Sequence, residues 1–196
     1  MRTADIHPTH AVALATAAEL GVPARSSPDA DHRASRLAAR RAIRALVGPW
    51  ARVVIRRRPG RAPLAEVGDE RRVSLSLSHR DGLAVAIAAS PDSRVGVDLE
   101  RLDALAPEHV RYFLTAREQR SANALPHAAL WALKEATWKA LALGDDVPLA
   151  ALEIDVDRRG AMRGVRLRGQ YRPAVALLSA PWPGYVVAIV WVGEAQ

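Results

Sequence analysis

Hydrophobic positions along the chain fall into two rhythms, and each predicts a kind of element. In "VSLSLSHRDGLAVAIAAS", Val73, Leu75 and Leu77 alternate strictly with polar residues, Asp81-Gly82 interrupts, and a nearly continuous apolar run follows. That is the pattern of a hairpin with one half-buried and one greasier strand. "ARVVIRRRPG" reads as a short strand running into a basic loop, and "RVGVDLE", "LEIDVD", "GVRLRG", "AVALLSA" and "GYVVAIVWVG" as further strands. A period near 3.6 marks "DHRASRLAARRAIRALVG", where Leu37, Ile43 and Leu46 make a stripe with alanines between them and Gly48-Pro49 closes the helix. A helix follows Pro107, "TARE" is a capping-box start with Thr115 and Glu118, and "WALKEATWKALALG" is a helix. The segment from about Asp5 to Leu20 has helical composition too, stopping at Gly21-Val22-Pro23 before a polar turn through Pro28.

An internal echo organises these elements. "AARRAIRALVG" resembles "ALKEATWKALALG" about 94 residues later, and "GLAVAIA" resembles "GYVVAIV" 102 residues later, with helix first and strands after in both copies. Alanine-rich helices and valine-rich strands look alike in many proteins. The preserved order nevertheless predicts an α+β fold: two similar αβ halves about a pseudo-twofold axis, each with a helix packed on a small antiparallel sheet. The division is expected near residue 100, giving halves 1–100 and 101–196, with a cleft between them as a natural ligand site.

Composition narrows the setting. The chain has 196 residues, 49% hydrophobic and 25% charged, in the range of a globular protein. It has no cysteine, which excludes disulfides and thiolate metal sites and makes a reducing cytoplasm the expected home. No apolar run approaches membrane-spanning length, and no secretion-signal layout opens the chain, so no membrane association is expected. The net charge of +7, carried almost wholly by arginine, points to an anionic partner: nucleic acid, an acidic protein or a phosphate-rich small molecule.

Three clusters offer chemistry. On the strand "VGVDLE", Val95, Val97 and Leu99 share one face, while Gly96, Asp98 and Glu100 share the other. Two carboxylates on one face repel unless a cation joins them, and oxygen donors on a rigid strand suit magnesium; a solvent-facing edge with Glu100 paired to Arg94 or Arg101 is the plainer reading. Gly96 leaves room for something bulky to approach. On the helix, Glu135 and Lys139 are an i, i+4 pair worth a few tenths of a kcal/mol at a surface. The row Trp131, Glu135, Trp138, Ala142 is expected to face inward, where a half-buried carboxylate requires Lys139 or a metal. At the hairpin corner, Ser78, His79 and Arg80 together offer phosphate-binding groups, with further arginines in "RRRPGR" (Arg56 to Arg61).

Taken in order, "LSLSHRDG", "VGVDLE", "RYFLTAREQ" and "WALKEATWKA" resemble the 4′-phosphopantetheinyl transferase superfamily, in its single-chain Sfp-like class. The match is firm from about Arg52 to Gly144 and loose elsewhere. The resemblance implies an enzyme that moves the phosphopantetheine arm of coenzyme A onto a serine of an apo acyl or peptidyl carrier protein, releasing adenosine 3′,5′-bisphosphate. It implies coenzyme A as substrate and Mg2+ held by Asp98, Glu100 and Glu135. Glu135, Lys139 and Asp98 would be catalytic, with Glu135 accepting the serine proton and Lys139 stabilising the leaving phosphate. Ser78, His79, Lys134 and Lys139 would touch the coenzyme A phosphates. Arg61, in "GRAP" with an inserted Ala62, would meet the adenosine part, and Arg33, Arg36, Arg40 and Arg41 are candidates for the 3′-phosphate. Where the family has an asparagine two residues before the motif serine, this chain has Ser76.

On this reading the N-terminal half binds coenzyme A and supplies the first metal ligands, and the C-terminal half supplies the catalytic glutamate and lysine. The partner would be an acidic carrier protein, not nucleic acid, and the enzyme a monomer. A non-catalytic relative that binds coenzyme A or a carrier, and a basic nucleic-acid-binding protein, are the competing readings. The low aromatic content of 5% counts against nucleic acid.

Overall fold

The computed structural model describes residues 10–21, 28–58, 61–68, 71–105, 107–121 and 125–193. Among the described residues, strand β1 (His10–Thr16) comes first, followed by a short 3-10 turn and helix α1 (Pro28–Val47). Four strands follow: β2 (Val53–Arg58), β3 (Arg61–Val67), β4 (Arg71–Arg80) and β5 (Leu83–Ala89). After β6 (Val95–Arg101) come the short helices α2 (Pro107–Phe113) and α3 (Ala116–Ser121), and the longer α4 (His127–Ala140). Strands β7 (Leu152–Val156), β8 (Met162–Leu167), β9 (Gln170–Ser179) and β10 (Tyr185–Val192) complete it.

Two antiparallel five-stranded sheets result, ordered β1-β5-β4-β3-β2 and β6-β10-β9-β8-β7. The orders are one pattern repeated: a first strand, a helical segment (α1 in the first half, α2 to α4 in the second), then four strands, the last of which pairs with the first. The α+β fold of two similar halves is therefore present, with one change in its layout. A strand, not a helix, opens each half, and β6 pairs wholly with the second sheet through Asp98 opposite Ala188 and Gly96 opposite Val190. The boundary between the sheets thus falls before Val95 and not after Glu100.

β1 also corrects the helix expected over Asp5 to Leu20, of which 5–9 lie outside the described residues. Alanine favours helices in isolation, but "HAVALAT" alternates alanine with larger residues. Ala11, Ala13 and Ala15 turn toward α1 while the strand pairs along β5 from His10 opposite Ala89 to Thr16 opposite Leu83. Pairing with a neighbour overrides intrinsic propensity. The expected hairpin forms between β4 and β5, where Asp81 (φ 53°) and Gly82 (φ 77°) make the two-residue turn that needs positive φ at both positions.

The layers are α1, first sheet, second sheet and α4. α1 buries Ala34, Ala38, Ala42, Ile43 and Leu46 over Ala84, Ala86 and Ala88 of β5, so the apolar stripe is mostly alanine, with Leu37 at its margin. Small side chains on both surfaces let helix and sheet approach closely. The opposite face of β5, with Val85 and Ile87, meets Val95, Val97 and Leu99 of β6 and Val187 and Ile189 of β10 between the sheets. α4 packs Ala132, Leu133, Ala136 and Ala140 on Ala188 and Val190 of β10. Among the described residues, no helix is long and apolar enough to cross a membrane.

Candidate functional site

The strand β6 sends alternate side chains to opposite faces, as its pattern requires. Val95, Val97 and Leu99 fill the core between the sheets, and Gly96 and Asp98 face α4. The room at Gly96 is taken by the helix itself. A Cβ there would stand 1.8 Å from the carbonyl oxygen of Ala136, so the glycine admits the α4 backbone and not a ligand. This close seat places Asp98 within reach of the next turn of α4.

Asp98 is 2% exposed and bonded from both halves. Its Oδ1 accepts from Lys139 Nζ at 2.6 Å and from Ser78 Oγ of β4 at 2.9 Å. Its Oδ2 is buried without a hydrogen-bond partner, an unusual and costly state for a carboxylate oxygen. Lys139 Nζ also donates to Val97 O at 3.3 Å and stands 3.6 Å from Glu135 Oε2. Burial pushes the Lys139 ammonium down, but Asp98 and then Glu135 outweigh it, so its pKa is raised and it stays charged.

The other two carboxylates sit nearer the surface. Glu100 pairs with Arg80 Nη1 through Oε2, yet its pKa is pushed up to about 7, first by burial and then by the charge of Asp98, with Glu135 adding to it. Glu135, with its side chain 33% exposed, also has a raised pKa, chiefly from burial and then from Asp98. The row Trp131, Glu135, Trp138, Ala142 runs along the margin of α4 and not inside it: Ala142 is exposed and the first three are half-buried. The inward row is instead Ala129, Leu133, Ala136 and Ala140.

The strand parity of β4 divides the hairpin corner that the sequence presented as one group. Ser76, Ser78 and Arg80 share the face toward β6. There Ser76 Oγ accepts from Val97 N at 3.1 Å, Ser78 holds Asp98, and Arg80 holds Glu100. His79 points to the other face, half-exposed, with Nδ1 3.6 Å from Asp31 Oδ2 at the start of α1. Ser78 is thus occupied by Asp98 and is not offered to a phosphate. Ser76, where the family's asparagine stands, supplies a direct bond to the unpaired edge of β6. The interlock of Ser76, Ser78 and Arg80 with β6 was readable in principle, because positions 76, 78 and 80 share parity on one strand.

Lys134 corrects another expectation. It is 0% exposed, and its ammonium reaches Phe113 O at 2.7 Å, Leu149 O at 3.2 Å, Leu152 O at 2.5 Å and Glu118 Oε2 at 2.7 Å. An ammonium has three protons to donate, so none is left for coenzyme A. Burial lowers its pKa, opposed by Glu118. Glu118 in turn accepts from Thr115 N at 2.7 Å as the expected capping box, and from Ile154 N at 2.8 Å. Arg40 is exposed on α1, nine residues past Asp31, or about 14 Å along the axis at 1.5 Å per residue. Arg41 is bound to Glu19 at 2.6 Å. Arg61 opens β3, but its side chain lies outside the described residues.

Among the described residues, no three His, Cys, Asp or Glu side chains stand together as a ready-made metal cage. Arg80 and Lys139 instead occupy the carboxylates. Oxygen-only donors and the unpartnered Asp98 Oδ2 still fit a hard divalent cation, of the kind that takes one or two carboxylates and completes its shell with substrate oxygens.

The family model described as the 4′-phosphopantetheinyl transferase superfamily matches residues 94–190, a span that holds β6, α4 and β10. This segment is similar to the 4′-phosphopantetheinyl transferase superfamily. The superfamily segment contains Asp98, Glu100, Glu135 and Lys139, whereas Ser76, Ser78 and Arg80 come from the half before it. Among solved structures, the chain is similar to the crystal structure of Thermotoga maritima holo-[acyl-carrier-protein] synthase. That similarity has 21% identity and a TM-score of 0.42, covering 51% of this chain and 62% of that one. A comparison with curated proteins gives no match.

Proposed function

We propose that the chain is a 4′-phosphopantetheinyl transferase of the single-chain, Sfp-like kind, moving the phosphopantetheine arm of coenzyme A to a serine of an apo acyl or peptidyl carrier protein. The match of residues 94–190 to the superfamily model supports the reaction class. The observation that carries the reading is the buried Asp98 bonded to Lys139 of α4, one turn from Glu135, at the seam between the halves.

Asp98, Glu100 and Glu135 would hold magnesium, whose charge offsets that gathering on the phosphate oxygens. The carrier serine Oγ attacks the β-phosphorus of the coenzyme A pyrophosphate, and its proton passes to Glu135. The bond from that phosphorus to the bridging oxygen breaks, and its electron pair leaves with adenosine 3′,5′-bisphosphate. The raised pKa of Glu135 brings it closer to working pH, where a carboxylate is a more effective proton acceptor. Lys139, kept charged by its acidic neighbours, offsets the charge on the leaving phosphate. Ser78 acts by holding Asp98, and Lys134 by holding α4. His79 and Arg61 remain the proposed contacts to coenzyme A. The net charge of +7 suits electrostatic docking of an acidic carrier to a monomeric, cytoplasmic enzyme.

Release of adenosine 3′,5′-bisphosphate from coenzyme A should require both apo-carrier and a divalent cation. Glu135→Gln should lower that rate at least about a hundredfold, the usual weight of general-base catalysis, while coenzyme A still binds. A Glu135→Gln enzyme of undiminished rate would exclude the proton-acceptor role.

A further inference from the structure

The acidic cluster already contains two cations of its own, and each sits on a carboxylate assigned above to the metal. Arg80 Nη1 pairs with Glu100, and Lys139 Nζ lies 2.6 Å from Asp98 Oδ1 and 3.6 Å from Glu135 Oε2. The two arrive from opposite halves, Arg80 from β4 and Lys139 from α4. Yet they leave the buried Asp98 Oδ2 without a partner. A site whose negative charge were fully met by Arg80 and Lys139 would not strand that oxygen.

Arg80 is suited to leaving. Its side chain is 39% exposed, at the last residue of β4 beside the hairpin turn, and among the described residues it bonds Glu100 through a single nitrogen. A guanidinium makes its strongest contacts in two-pronged fashion with carboxylate or phosphate, so a one-pronged pair leaves donors for another anion. Lys139 is less exposed but long and flexible, and its carboxylate partners are those a divalent ion would take.

We propose that Arg80 and Lys139 are place-holding cations: a divalent ion entering among Asp98, Glu100 and Glu135 displaces them, and both then turn to the phosphate groups of the substrate. This rests on the transferase reading given above. It makes metal and phosphate binding mutually reinforcing, since each ligand stabilises the arrangement that the other uses. It also assigns Arg80 to the substrate, a role distinct from simply orienting Glu100 for the metal.

The two roles predict opposite signs for one measurement. Mn2+ binding to the full-length protein, without coenzyme A, is followed by electron paramagnetic resonance of the free ion. Arg80→Gln should bind Mn2+ about tenfold more tightly than the parent chain, and Lys139→Gln should move the same way. With Mn2+ saturating, Arg80→Gln should bind adenosine 3′,5′-bisphosphate about tenfold more weakly by calorimetry, and Arg80→Lys should recover part of that loss. Unchanged or weaker Mn2+ binding by Arg80→Gln would make Arg80 an orienting group and overturn the proposal. So would unchanged bisphosphate affinity, or absence of Mn2+ binding to both parent and variant. None of these assays includes a carrier protein, so the transfer reaction stands or falls separately on modification of the carrier.

Discussion

At Asp98 the two halves of the molecule meet on one oxygen: Ser78 arrives from the first sheet and Lys139 from the helix of the second half. Around it, Glu100 has its pKa pushed up to about 7, first by burial and then by the charge of Asp98, with Glu135 adding to it. A carboxyl whose folded pKa lies above its unfolded value holds its proton more firmly in the native state. Its contribution to stability is therefore complete below about pH 4.5 and is lost as pH rises through 7, by at most about 3 kcal/mol. Denaturant unfolding of the metal-free protein, with chelator present, should show stability falling over this window. Glu100→Gln should flatten that fall, because the amide has no proton to lose. A parallel fall in protein and variant would assign the slope to other groups.

The alternation of β4 and β6, the Asp81-Gly82 turn, the capping box at Thr115 and the helix carrying Glu135 were all legible as elements, since each rests on a local signal: parity, turn chemistry, a cap, a stripe. What Lys134 does was not. Its neighbour Glu135 and its partner Glu118 are visible in the sequence, but only the fold places Glu118, Phe113 O, Leu149 O and Leu152 O around one ammonium. The same long-range packing explains Gly96, which reads as open space until α4 lies against it. β1 was misread for the opposite reason, because its alanine content spoke for a helix while its true signal, period two, was weak. Its counterpart β6 could have revealed it. The pairing to β5 and β10 sets Val12 beside Ile87 and Val97 beside Ile189, so the two strands occupy equivalent places. Lys134→Met should lower unfolding free energy by about 3–5 kcal/mol, since Glu118 would be left buried and uncompensated. Adding Glu118→Gln should restore much of that loss in urea titrations. A Lys134→Met protein as stable as its parent would remove the pin from the account.

Across the whole molecule, the two halves repeat one fold but not one chemistry. By that register the positions of Asp98 and Glu100 in β6 correspond to Ala13 and Ala15 in β1, and the second half alone retains the carboxylates. The first half contributes Ser76, Ser78 and Arg80, and by the same register Leu177 and Ser179 of β9 stand at the places of Ser76 and Ser78. The family motifs made Asp98, Glu100, Glu135 and Lys139 legible as a group, but not how Arg80 and Lys139 divide the carboxylates, since side-chain pairing between halves depends on how the sheets cross. The central claim is that this seam transfers phosphopantetheine. Its most direct test is the intact mass of an apo-carrier protein after incubation with this chain, coenzyme A and magnesium. The carrier should gain one phosphopantetheine group on its serine, a gain lost when that serine is replaced by alanine. An unchanged carrier mass across fatty-acid, polyketide and peptide-synthesis carriers would contradict it.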